Sequence, residues 1–293
     1  MGMDASKMYV TIYKDDEEAF TYWTQEIGLD ASHIHRFDAD ENFWPANAPL
    51  EGPNGPCGPC SEIYYDRGPE YGRDGGPIAD EERYLEVWNL VFMQFERGAG
   101  SGKSDFPILG ELPAKNIDTG LGLERMAALL QGVENIYEID TTKKILDRAS
   151  ELTGVKYGSH EKSDVSLRVI ADHARTSMML IGDGVVPGNE GRGYVLRRMM
   201  RRTIRNMRIL GANDPIIKEL TIAAIGAMGP QYPELIENQN RILAVSENEE
   251  DSFLQTLKSG TQIFDVAIEG VKKSGSVKLE GETVFKLHDT YGF

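Results

Sequence analysis

Seven arginines, Arg192, Arg197, Arg198, Arg201, Arg202, Arg205 and Arg208, fall between Glu190 and Asp214 with no acidic residue among them. At about 100° per residue, Arg197 to Arg208 occupy a helical arc of roughly 140°, with Met199, Met200, Ile204, Met207 and Leu210 opposite. Such a helix buries one face and presents a rail of guanidinium groups on the other. A rail without local counter-charge repels itself unless a polyanion meets it, so the pattern implies a nucleic-acid partner. The alternative is a solvated face, or arginines paired with acids from another helix.

Asp183 to Tyr194, with four glycines and a proline ahead of the rail, reads as a turn that sets Asn189 beside it. An Asn amide carries both a donor and an acceptor, which suits reading a base edge; it equally suits capping a turn. A second constellation is Asp118-Thr-Gly-Leu-Gly-Leu-Glu-Arg125. It joins a carboxylate at a strand end, two glycines (Gly120 and Gly122) that admit a ligand close to the backbone, and an arginine on the first turn of a helix. Arg125 can fork onto phosphate oxygens or close a structural ion pair. Cys57 and Cys60 are the only cysteines, in Gly-Pro-Cys-Gly-Pro-Cys with no histidine nearby in sequence. They read as small apolar fillers of a rigid loop rather than a thioredoxin-like or zinc pair.

The elements that must position these residues change class along the chain. Strands are expected at Tyr9–Tyr13, His33–Phe37, Ser61–Asp66 and Tyr84–Phe95, the last central in its sheet, with an early helix ending near Gly28. Asp38–Pro59, dense in proline, is expected to be one long loop. Pro113–Asp118 should form a strand, then a glycine turn and a helix. Beyond about residue 138 the periodicity is helical, with candidates at 140–153, 164–182, 192–210, 214–228, 234–258 and 281–288. The expected class is α+β: residues 1–135 a sheet with flanking helices, residues 136–293 an all-α helical domain. The 293 residues carry a net charge of −16 with 40% hydrophobic residues, a folded and soluble composition in which the rail is a local exception. There is no 18-residue apolar run and no basic-then-apolar leader, so a cytoplasmic protein with no membrane contact is expected.

Together these segments resemble the alanyl-tRNA synthetases, a family of class II aminoacyl-tRNA synthetases. The resemblance rests on Asn42-Phe-Trp44, Gly55 to Ile63, Glu86 to Phe95, Asp118 to Arg125, Ser166 to Arg175, Asn189 to Arg198 and the closing Asp289-Thr-Tyr-Gly-Phe293, in family order over nearly the whole chain. It implies an antiparallel class II sheet, with Asp118 to Arg125 as the third class-defining motif. Arg125, with Gly122, would lie on the ATP side, holding the γ-phosphate. Asp118 would pair with the ammonium of alanine and Gly120 would leave it room. Trp44 and Val91 would wall the amino-acid pocket, and Asn89 would share the strand face of Val91. Asn189 and Asp289 would contact the G·U wobble pair of the tRNA(Ala) acceptor stem, with the arginines on its phosphates. ATP and Mg2+ are then the expected cofactors, with Glu62 and Glu86 as open alternatives for the metal. The first two class-defining motifs and the family's editing domain are not found between Met1 and Phe293. The chain therefore reads as a fragment of an alanine-tRNA ligase, with a truncated sheet edge able to self-associate. The alternative is a catalytically silent acceptor-stem binding module.

Overall fold

Short runs of β-branched and aromatic residues build a six-stranded sheet in the first 121 residues: β1 (Met8–Tyr13), β2 (Ile34–Phe37), β3 (Phe43–Trp44), β4 (Gly55–Asp66), β5 (Tyr84–Arg97) and β6 (Ile108–Leu121). The order is β2-β1-β4-β5-β6, with β3 paired to β4. The computed structural model describes residues 1–45, 55–98, 107–275 and 277–285, and it divides into two compact units, Met1–Ile136 and Tyr137–Phe293. The sheet is mixed rather than purely antiparallel, because β1 and β2 run parallel; the other pairings are antiparallel. A parallel neighbour needs a crossover. Here it is α1 (Glu17–Thr21), capped by Asp16 accepting from Ala19 N at 2.9 Å, and a π-helical turn, Tyr22–Glu26. That crossover covers one sheet face, where Val10, Ile12 and Ala19 are buried with Phe20, Trp23, Ile63 and Phe92 against them.

The expected loop over Asp38–Pro59 is corrected at both ends. Residues 39–42 form a one-turn helix, α2 (Ala39–Asn42), and Gly-Pro-Cys-Gly-Pro-Cys is the first half of β4. Proline is tolerated there because the register against β5 shifts between Cys57 and Cys60, so the ladder is already interrupted. Gly58 lies so close to β5 that a Cβ would sit 1.8 Å from the Phe92 carbonyl oxygen.

The expected glycine turn after Asp118 is also shorter than the spacing suggested. Gly120 remains in β6, opposite Asn89, and only Gly122 makes the turn, as N-cap of α3 (Leu123–Gln131).

The described elements of the second unit are helices: α4 (Asp140–Thr153), α5 (Glu161–Gly182), α6 (Gly191–Ile209), α7 (Ile217–Met228), α8 (Pro233–Glu237) and α9 (Gln239–Ser274). Their ends follow from local chemistry. Glu161 and Asp164 occupy the first turn of α5, where carboxylates face the positive end of the helix dipole, and Gly154 ends α4 in the left-handed region at φ 70°. The core is the apolar stripe of each helix, centred on Ile145, Leu167, Ile170, Met178, Leu196, Met200 and Leu220. Glu250 is buried at the start of α7, where its carboxylate accepts from Ile216 N and Ile217 N. Burial raises its pKa, and those two amides pull it back down.

Candidate active site and arginine rail

The residues singled out in the first unit converge on one sheet face because strand register aligns them. Thr11, Glu62, Asn89 and Gly120 form one row across β1, β4, β5 and β6, and Cys60, Val91 and Asp118 form the next. Successive residues alternate faces, so Asn89 with Val91, and Asp118 with Gly120, look the same way.

Glu62 is the hub of this face. Its Oε1 accepts from Asn89 Nδ2 at 2.9 Å; its Oε2 accepts from the Tyr64 hydroxyl at 2.6 Å and from Thr11 Oγ1 at 3.4 Å. Asn42, fully buried, donates to Thr11 Oγ1 at 2.8 Å and to the Cys60 carbonyl at 3.2 Å. Burial pushes the Glu62 carboxyl above its ordinary range, and the Tyr64 hydrogen bond opposes that. Asn89 Oδ1 is buried without a donor among the described residues. Sequence reasoning missed the supporting roles of Thr11, Asn42 and Tyr64; only strand register could have shown that Thr11 and Tyr64 flank Glu62.

Beside this hub lies a cleft of about 450 Å³ whose lining includes Phe37, Glu41, Glu62, Tyr64, Glu86 and Arg125. Arg125 reaches it from the first turn of α3, whose start is fixed to β5 by Gly122 N donating to Val87 O at 3.0 Å. A Cβ on Gly122 would stand 3.2 Å from Arg125 Cδ, so glycine there lets the arginine fold back over the turn. Arg125 Nη1 donates to both the carbonyl and Oε2 of Glu86, each at 2.9 Å, with its side chain about half exposed.

Val91 is buried, while Asp118 and Gly120 are exposed on β6, where Asp118 Oδ1 accepts from Thr119 N at 2.9 Å. Trp44 is exposed on β3 opposite Gly58. Trp44, Val91, Asp118 and Gly120 do not line the cleft itself.

In the second unit α6 carries the rail as its periodicity requires, with Leu196, Met200, Ile204 and Met207 on the buried side. Counter-charge from another helix, the alternative that the sequence left open, is present for Arg197 and Arg201. Glu249 of α9 accepts from Arg197 Nε at 3.2 Å and from Arg201 Nε at 2.8 Å. Arg197 Nη1 also donates to Asn189 Oδ1, so Asn189 does sit beside the rail. Arg208 donates to the Asn213 carbonyl at 3.1 Å. Arg198 and Arg205 are exposed and make no ion pair among the described residues, and Arg192 and Arg202 are exposed as well. The Arg202 charge contributes to holding the Asp172 carboxyl low, after the larger effect of its hydrogen bond with His173. Asp289 lies outside the described residues.

All 293 residues match the profile of the tRNA synthetases class II (A). The chain belongs to this class II synthetase family. It is 58% identical over 292 residues to the alanine–tRNA ligase of Streptomyces avermitilis, 59% over 293 to that of Thermobifida fusca and 54% over 292 to that of Corynebacterium efficiens. In each case the whole chain is covered, and it spans 32% of the relative's length.

In this synthetase chain Cys57 and Cys60 are free thiols, both buried. Burial raises their pKa to about 11 and about 12. At pH 8 the thiolate of Cys57 is then on the order of one part in a thousand, and the thiolate is the reactive form. Neither cysteine is therefore expected to react with a thiol-specific disulfide reagent in the native chain, and both should react once urea unfolds it. Rapid labelling of native protein would contradict the packing described for β4. Among the described residues no group of three His, Cys, Asp or Glu side chains is placed to hold a metal ion, and no helix is long and apolar enough to cross a membrane.

Proposed function

We propose that this chain carries alanine-activating and acceptor-stem-binding elements of an alanine–tRNA ligase acting in cytoplasmic translation. In the reaction the α-carboxylate of alanine attacks the α-phosphorus of ATP in line, forming a carboxyl–phosphate bond as the bond to pyrophosphate breaks. The 3′-terminal hydroxyl of tRNA(Ala) then takes the acyl group and AMP leaves. No covalent enzyme intermediate is needed, because positioning and charge neutralisation supply the acceleration.

The observation that carries this reading is the charge layout of one sheet face: acceptors at Asp118, Asn89 and Glu62, and a guanidinium at Arg125 with glycines on its approach. An amino acid brings an ammonium and ATP brings a polyphosphate, and the two ends of the face suit them. Asp118, exposed beside Gly120, receives the ammonium. Val91 and Trp44 bound the space for the methyl group. Arg125 takes the γ-phosphate next to Gly122. Mg2+ bound with ATP would supply neutralisation of the phosphate charge at such a site. Arg125 would release Glu86 on turning to phosphate, whereas both oxygens of Glu62 are already engaged. Glu86 is therefore the better carboxylate for the metal.

The helical unit presents Arg192, Arg197, Arg198, Arg201, Arg202 and Arg205 to acceptor-stem phosphates, with Asn189 and Asp289 reading the G·U pair. Phosphate contacts position the stem and the Asn/Asp pair specifies it.

Alanine-dependent exchange of pyrophosphate into ATP tests the first unit. Asp118→Ala is expected to reduce exchange about 10- to 100-fold, the scale of losing a charge-assisted hydrogen bond to the ammonium, and a variant with wild-type exchange sinks the assignment. A chain that binds acceptor stems but gives no exchange would be a stem-binding module instead.

A further inference from the structure

The second unit holds a specificity-determining arrangement that the arginine rail conceals. Arg197 is not only a phosphate contact. From α6 its guanidinium donates to Asn189 Oδ1 through Nη1, and its Nε is held by Glu249 of α9 at 3.2 Å. Glu249 is 5% exposed, and its second oxygen is occupied by Arg201 Nε at 2.8 Å. One buried carboxylate thus fixes two guanidinium groups, and one of those groups fixes the Asn189 amide.

The chemistry decides which way that amide faces. Arginine has only donors, so the atom of Asn189 turned to Arg197 must be the carbonyl oxygen. The amide nitrogen is left pointing elsewhere, as a donor with a single orientation. The backbone of the turn is set by glycine: Gly188 N donates to Gly193 O at 3.0 Å, and a Cβ on Gly193 would stand 2.7 Å from the Val186 carbonyl oxygen. The backbone therefore places Asn189 and the Arg197–Glu249 pair chooses its hydrogen-bonding face.

We infer that Arg197 and Glu249 are positioning residues for base-pair discrimination, locking Asn189 as a pure donor toward an acceptor on the edge of the acceptor-stem G·U pair. This rests on the reading of Asn189 as a base-edge contact. Arg197 then acts differently from Arg198 and Arg205, which carry charge without fixing a neighbour.

The experiment measures binding of the full chain to two acceptor-stem hairpins, one with G·U and one with G·C, across a salt series. The variants are Arg197→Lys, Glu249→Gln and Arg198→Lys, alone and on an Asn189→Ala background. Lysine at 197 keeps the positive charge and loses the second contact of the fork. Glutamine at 249 keeps the shape but can accept from only one of its two arginines through oxygen. Both are expected to lower the G·U to G·C ratio about tenfold, the discrimination of one well-formed base contact. A loss of phosphate affinity common to both hairpins cancels in this ratio, and the salt series separates it from the loss of discrimination. Arg198→Lys should leave the ratio alone. On the Asn189→Ala background Arg197→Lys should change the ratio no further, since coupled residues are not additive.

If Asn189→Ala abolishes discrimination while Arg197→Lys and Glu249→Gln preserve it, the positioning inference is overturned and the base-edge reading stands. If Asn189→Ala preserves discrimination, the base-edge reading fails and takes the inference with it. Thermal melting identifies a Glu249→Gln chain that has lost its fold, and Arg197→Lys, at a part-exposed position, then carries the test.

Discussion

Gly58→Ala is expected to destabilise the sheet unit by at least about 3 kcal/mol, or roughly 10 °C in its melting midpoint. The added methyl carbon would stand 1.8 Å from the Phe92 carbonyl oxygen and 3.1 Å from Gln94 N, and both of these are backbone atoms of β5. A side chain can rotate away from a methyl group; a strand backbone cannot without giving up its ladder. Relief therefore requires β4 to separate from β5 where the register already shifts between Cys57 and Cys60. The row that follows, Cys60 and then Glu62, hangs from the same segment, so the Asn89–Glu62 hydrogen bond should fail with it. Gly120→Ala is the matched control. Nothing lies within 4 Å of a Cβ there, so its melting midpoint should stay within about 2 °C of wild type. If Gly120 leaves room for alanine, its methyl group should still raise the KM for alanine about tenfold, the worth of a contested methyl group. Equal melting points for Gly58→Ala and Gly120→Ala would contradict the strand approach.

The same segment shows where sequence reading succeeds and where it stops. β1, β2, β5 and the helices α4 to α7 follow from alternation or 3.6-residue periodicity to within a few residues, since each buries a face that its own residues define. Periodicity predicts one helix over 234–258, where the chain instead breaks at Asn238 into α8 and a longer α9. Proline and glycine in the first half of β4 predict a loop, because both disfavour a regular ladder. The segment is a strand because Gly58 permits an approach to β5 that no local rule can foresee. The site divides in the same way. Asp118, Gly120, Val91 and Asn89 could be named from motif and resemblance, and strand register then aligns them. The anchoring of Glu62 by Asn89, Tyr64 and Thr11 depends on which residues face each other across three strands. Glu249 was invisible as a partner of the rail for the same reason, lying 52 residues from Arg197 in a different helix.

Arg125 and Glu86 should shift nucleotide affinity in opposite directions. In the free chain Arg125 Nη1 is engaged by the Glu86 carboxylate at 2.9 Å, so a phosphate must compete with that carboxylate for the guanidinium. Both groups are part exposed, which keeps the standing ion pair weak, on the order of 0–1 kcal/mol. The arginine fork to a phosphate bears more charge and can be bidentate, worth about 1.5–3 kcal/mol. On the proposed reading exchange of partners is therefore favourable, and the existing contact keeps Arg125 at the cleft while no phosphate is present. Arg125→Ala is expected to weaken equilibrium binding of ATP by about 10- to 100-fold, and Arg125→Lys by less, because it retains the charge and loses the fork. Glu86→Gln removes the competing charge and should tighten ATP binding in the absence of Mg2+ by about two- to fivefold, the share that an exposed ion pair can return. With Mg2+ present that gain should shrink or reverse, because the carboxylate that Arg125 releases is then missing from the cation. Equilibrium dialysis with and without Mg2+ reads all four values without requiring turnover. A loss of ATP affinity in Glu86→Gln that is the same with and without the metal would place Glu86 as a structural partner of Arg125 and remove it from the metal's surroundings.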